Sequence, residues 1–132
     1  MKAAESSRRF HFSDLITAVC LQEGIAQEFL LSSKKNVSLI LARGRLYYMA
    51  YNELNLSSGI IARLCKKKTS HQVSMPVKRY QLIANDPLEI LTRENIKTVA
   101  ELLYKKELSL SSTQNFITDT ILSRAGRYIN DT

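Results

Sequence analysis

Tryptophan is absent from the 132 residues, proline occurs twice and glycine four times. So few chain breakers exclude a collagen-like or low-complexity protein, and a hydrophobic share of 45% excludes wholesale disorder. No apolar run approaches the ~20 residues of a membrane span, and residues 1–9 are polar and charged, unlike a signal peptide. A cytoplasmic protein without membrane contact is expected. The two cysteines, Cys20 and Cys65, have no Cys or His at metal-ligand spacing and fall within apolar helical spacing, so both read as reduced core thiols. His11 and His71 stand far apart, which leaves neither a metal pair nor a catalytic triad. Lys68-Thr69 lacks the preceding glycines of a phosphate-wrapping loop. The expectation is no enzyme and no cofactor.

Acidic residues are scarce in one part of the chain only. Residues 1–83 hold 13 Lys/Arg against 5 Asp/Glu, whereas residues 84–132 hold 6 against 7. Between Lys34 and Arg79 there are 10 basic residues and a single acid, Glu53. A basic surface this concentrated, without a strongly apolar face beside it, points to a polyanion and favours nucleic acid over membrane.

The periodicity is helical throughout. Phe12, Leu15, Ile16 and Val19 repeat behind Ser13 as N-cap, and Gly24 ends that helix. A short segment, residues 25–31, turns Phe29 and Leu30 inward before the polar loop Ser32-Ser33-Lys34-Lys35-Asn36. A longer helix starts near Val37 or Ser38, with Val37, Ile40, Leu41, Gly44, Tyr47, Tyr48 and Tyr51 on one face and Gly44 suited to a close helix crossing. Ser57 or Ser58 caps a helix that puts Ile60, Ile61 and Leu64 together, and Lys66, Lys67 and Lys68 follow at its C-terminal end. From Thr69-Ser70 a second segment clusters Val73, Pro76, Val77 and Tyr80 on one side and His71, Gln72, Met75, Lys78 and Arg79 toward the other. Two helices, a tight basic turn and a polar outer face make a helix-turn-helix pattern. Pro76 leaves two options: a kinked second helix, or a late start with Ser74 as cap and Pro76 in the first turn.

With Ala42-Arg43-Gly44-Arg45 and Tyr48-Met49-Ala50 upstream, Ile61-Ala62, Cys65, Thr69-Ser70-His71-Gln72-Val73 and Lys78-Arg79 in register, residues 10–83 resemble the C-terminal DNA-binding domain of the bacterial replication initiator DnaA, a Trp-repressor-like helical domain also appended to some transposases. Ala42–Arg45 falls on the family's Ala-Arg-Pro-Arg, and Lys78-Arg79 on its Arg-Lys pair. Thr69 and Ser70 stand where the family has Asp and His, so the DNA sequence that its initiators read is not carried over.

Residues 1–9 read as a flexible arm, 10–84 as the helix-turn-helix domain and 85–132 as a helical extension of two or three helices. In the extension Asn85-Asp86-Pro87 is a turn, and Thr92 with Glu94 starts a helix with Ile96, Val99, Ala100 and Leu103 on its apolar face. Ser111-Ser112 opens another, which aligns Phe116, Ile117, Thr120, Ile121, Arg124 and Tyr128. Matches such as Ile16, Val19 and Cys20 with Ile96, Val99 and Ala100 suggest a partial internal repeat that stops before a second helix-turn-helix. The fold expected is therefore all-α.

The function expected is sequence-specific binding of double-stranded DNA, in transcriptional control, replication or mobile-element housekeeping, by a nucleoid-associated protein. Lys34, Lys35, Lys66, Lys67 and Lys68 would neutralise phosphates, and Thr69 and Ser70 would offer hydroxyls and helix N-terminal N–H groups. His71 and Gln72 would reach base edges, Gln72 being suited to adenine, with Lys78 and Arg79 on the backbone further along. By resemblance, Arg43 would enter the minor groove, beside Arg45. The alternative is an interaction or assembly module that keeps the fold and binds DNA only non-specifically or not at all. A homodimer through the C-terminal helices is the other partner expected.

Overall fold

The computed structural model describes residues 10–107. Among these residues every regular element is helical: α1 (Phe12–Glu23), α2 (Gln27–Leu30), α3 (Val37–Glu53), α4 (Ser58–Leu64), α5 (His71–Gln81) and α6 (residues 87–107). The proposed flexible arm, the helix from Ser111-Ser112 and with it most of the proposed repeat lie outside the described residues.

The chain organises itself around α3, which packs most extensively on α5 and α1. Its middle, from Ala42 to Tyr47, is buried on all sides, whereas Val37 is 81% exposed and Tyr51 half-exposed. The single apolar stripe read from the sequence is thus corrected: a helix enclosed by neighbours has no dry face and wet face to alternate, and Ala42, Leu46, Met49 and Ala50 enter the core as well. Gly44 does mark a close crossing. A Cβ built there would lie 3.1 Å from the Cβ of Tyr80 on α5, tighter than nearly all real contacts of that kind.

Local chemistry sets the boundaries. Gly24 closes α1 in the left-handed conformation, φ 66°, and Asn36 caps α3 by accepting the N–H of Leu39 at 2.9 Å. At the start of α1 the cap position belongs to His11, whose N–H donates to Asp14 at 2.9 Å, rather than to Ser13. In α2, Leu30 is fully buried but Phe29 is 43% exposed, so only one of the two points inward. Ser57 caps α4 through the N–H of Ile60, and the buried residues of α4 are Ile61 and Ala62, followed by the buried Cys65 at its C-cap, while Ile60 and Leu64 are exposed. The expected face was rotated by about one residue.

α6 begins five residues before Thr92. Asp86 accepts the N–H of Leu88 at 2.9 Å on its side chain and that of Ile90 at 2.9 Å on its carbonyl, and Pro87 occupies the first helical position. Thr92 instead returns its hydroxyl to the carbonyl of Leu88 within the helix. Ile96 and Ala100 are fully buried in the same core as Leu15, Leu46 and Val73. The boundary at residue 84 therefore separates two stretches of sequence that share one core.

Among the described residues no helix is long and apolar enough to cross a membrane. Cys20 and Cys65 are unpaired thiols, Cys65 buried, and burial raises the pKa of both.

Candidate nucleic-acid interface

α4, α5 and the six residues between them form the helical hairpin. The chain leaves α4 through Lys66, which takes the left-handed conformation at φ 57°, and the N–H groups of Lys66 and Lys67 return to the carbonyls of Arg63 and Ala62 at 3.1 and 2.7 Å. A glycine would serve that conformation at lower steric cost; here a cation occupies it and is exposed. α5 then starts at His71, not after Ser74, and runs through Pro76. Its buried side is Val73, Val77 and Tyr80, with Pro76, expected on the same side, only half-buried, and the Ser70 side chain makes no cap bond.

Thr69, Ser70, His71, Gln72, Lys78 and Arg79 are all exposed along the outer side of this hairpin, with Lys66 and Lys68 in its turn. Gln72 is partly committed, however. Its Oε1 accepts the N–H groups of Lys68 and Thr69 at 2.8 and 3.2 Å, so it works as a cap for the start of α5. A bidentate contact to adenine needs both the oxygen and the amide nitrogen, and the oxygen is already engaged.

Three of the expected DNA contacts have their cationic groups engaged within the chain, Arg43 and Arg45 buried and Lys67 half-buried. Arg43, 8% exposed, donates from Nε to the carbonyl of Leu30 at 2.7 Å and from Nη2 to those of Phe29 and Ser32 at 3.0 and 2.8 Å. Its guanidinium thereby satisfies carbonyls at the end of α2. Lys67 donates from Nζ to the carbonyls of Leu31 and Ser32 at 3.3 and 3.1 Å. Desolvation first, and the charge of Arg43 second, lower the pKa of Lys67. Arg45, 7% exposed, grips Glu89 with two parallel hydrogen bonds of 2.9 and 2.7 Å and also pairs with Glu23. None of the three presents a free guanidinium or ammonium face in the way a groove contact requires.

Arg43 and Lys67 nevertheless shape the surface. By meeting at Ser32 they hold the start of the 32–36 loop against the hairpin turn, which brings the exposed Lys34 and Lys35 to the same region as Lys66 and Lys68. Lys34 lies over the ring of the half-exposed Phe29, 5.0 Å from its centroid. Arg63, also exposed, falls in the last turn of α4 and belongs with this set. It was one of the ten cations in the 34–79 window, but no motif position singled it out.

A second polar cluster lies behind α5. Tyr80 donates its hydroxyl to Glu89 at 2.7 Å and accepts from Arg93 at 2.9 Å, and Arg93 also donates to the carbonyl of Ala84 at 2.7 Å and stacks 4.9 Å over Tyr48. Burial above all, then the bond to Glu89, pushes the Tyr80 hydroxyl up to about 12. The bonds from Arg45 hold the Glu89 carboxyl below its ordinary value. This cluster attaches α6 to α3 and α5, and its internal pairing leaves it no evident chemistry. Among the described residues no group of three or more His, Cys, Asp or Glu could hold a metal ion. No protein-family model, curated protein or solved structure matches the chain.

Proposed function

We propose that the protein binds double-stranded DNA, with the start of α5 directed at the major groove and the cations of two loops on the phosphate backbone. The observation that carries the reading is the pinning of Ser32, at the head of the loop that bears the exposed Lys34 and Lys35, to Lys67 in the hairpin turn between the exposed Lys66 and Lys68. Exposed lysines on the two segments suit phosphate oxygens. The resemblance to the DnaA C-terminal domain, and with it a Trp-repressor-like arrangement, supports the same orientation of the hairpin. Base readout then falls to His71 and to the amide nitrogen of Gln72, with Thr69 and Ser70 on phosphate and Lys78 and Arg79 further along the backbone. No catalytic role is proposed for any of these residues, and the reading places the protein with the nucleoid.

One observation favours the alternative of an assembly module or a non-specific binder: Gln72 is engaged as a cap, and Arg43 and Arg45 face inward. Selection from a random duplex pool at low and moderate salt separates the readings. Enrichment of a motif that His71→Ala relaxes at one position supports sequence-specific binding. Salt-sensitive binding without enrichment supports backbone binding alone, and no retention at low salt overturns DNA binding altogether.

A further inference from the structure

We infer that Gln72 selects guanine, acting as a hydrogen-bond donor whose orientation the hairpin turn fixes before a duplex arrives. The inference rests on the DNA-binding reading and names the base that this side chain would take. Gln72 is the second residue of α5 and is exposed, at the end of a recognition helix that meets base edges in the major groove. Its Oε1 accepts the N–H of Lys68 at 2.8 Å and that of Thr69 at 3.2 Å. Both partners are backbone N–H groups, which only donate, so the amide atom facing them is the oxygen. Turned over, the amide would set its own hydrogens against two donors.

With the oxygen held by the turn, a planar amide leaves one polar group for a ligand, the Nε2 and its two hydrogens. Nε2 bonds to no described residue. The two N–H groups on the oxygen also polarise the amide and strengthen those hydrogens as donors. Because the side chain is already ordered, a duplex does not have to immobilise it on binding.

Such a group sorts bases by their acceptors alone. In the major groove guanine presents two, N7 and O6; adenine presents N7 beside the donor N6, thymine only O4, and cytosine a donor. One amide NH2 can serve both acceptors of guanine. Against adenine it meets the N6 hydrogens, and the oxygen that would have accepted them is taken by Lys68 and Thr69. Guanine therefore ranks first and cytosine last, in place of the adenine that suits a glutamine with both amide atoms free.

The test is selection from a random duplex pool at low salt with the full chain and with Gln72→Glu. The glutamate keeps an oxygen for the Lys68 and Thr69 N–H groups but puts an acceptor where Nε2 stood. The parent should enrich guanine about fivefold or more at one position, and Gln72→Glu should move that position to cytosine. Replacing that guanine by 7-deazaguanine, which lacks N7, should weaken the parent and leave Gln72→Ala unaffected. Any base other than guanine at the position that Gln72→Glu alters overturns the inference, adenine in particular by showing that the turn releases the oxygen. A motif that Gln72→Glu leaves unchanged, or a parent indifferent to 7-deazaguanine, overturns it too. In these cases sequence-specific binding stands, whereas a parental pool without any motif removes that reading and the inference together. The fixed orientation is also checked without DNA: Gln72→Met, of similar length but with no carbonyl acceptor, should melt below the parent, and Gln72→Glu should not. Equal melting of Gln72→Met and the parent overturns it.

Discussion

Arg43 and Lys67 donate to the same oxygen, the carbonyl of Ser32, at 2.8 and 3.1 Å. Two cations share one neutral acceptor with no carboxylate between them, so the arrangement is held by hydrogen-bond geometry against mutual repulsion. Lys67→Ala leaves the Leu31 and Ser32 carbonyls without that donor and should cost about 1–3 kcal/mol in a urea titration. Lys68→Ala, on an exposed side chain, should leave stability within about 0.5 kcal/mol and lower the salt slope of DNA binding by about 1. The reverse assignment of the two effects would falsify the structural role given to Lys67.

Lys66→Gly separates fold from charge. The left-handed conformation costs a non-glycine residue roughly 1–2 kcal/mol, partly offset by the greater freedom of glycine in the unfolded chain. The variant should therefore hold or gain up to about 1 kcal/mol of stability, while duplex affinity at low salt falls. A lower melting temperature together with unchanged DNA affinity would contradict both halves of the argument.

At Gly44 the packing term competes with helix propensity. Alanine gains up to about 1 kcal/mol over glycine inside a helix, but its Cβ would meet that of Tyr80 at 3.1 Å. Forcing such a contact typically costs about 1–3 kcal/mol, so Gly44→Ala should come out neutral to about 2 kcal/mol destabilised, and Gly44→Val clearly worse. Chemical denaturation of the pair checks the order; a stabilised valine variant would mean that α3 and α5 are free to move apart.

Acid should loosen the attachment of α6. The folded pKa of Glu89 lies below the ordinary 4.5 because Arg45, and to a lesser degree Tyr80, bond its carboxylate. In the interval between the folded value and 4.5 the unfolded chain binds more protons, so the contribution of Glu89 is complete above 4.5 and is lost as pH falls through the folded value. Glu89→Gln should be less stable than the parent at neutral pH and should show a shallower loss of stability across that interval. Parallel curves for the two proteins would sink the assignment.

Much of the fold was legible because α1, α5 and the caps obey local rules. Gly24 and Ser57 act through backbone conformation and a single short hydrogen bond, and Val73, Val77 and Tyr80 share one face of a regular helix. The burial of α3 does not follow its apolar stripe, because a helix surrounded by others does not alternate. The start of α6 is ambiguous in the sequence because Asp86-Pro87 reads equally as a turn and as a helix start. In the candidate interface the cations were legible as a set but not individually. Whether Lys66, Lys67 or Lys68 faces outward depends on carbonyls of the Leu31-Ser32 segment, far away in sequence. Arg45 was beyond reach for the same reason, since its partners Glu23 and Glu89 come from two other helices.

The clasp between Arg45 and Glu89 also fixes what can be lifted out of this protein. A cassette of residues 10–84, cut at the apparent end of the helix-turn-helix and grafted elsewhere, would carry Arg45 with one of its two carboxylates gone and an opening where Ile96 and Ala100 had been. The smallest transplantable piece is therefore longer than the reader it carries, and the hairpin travels intact only with α6 still attached.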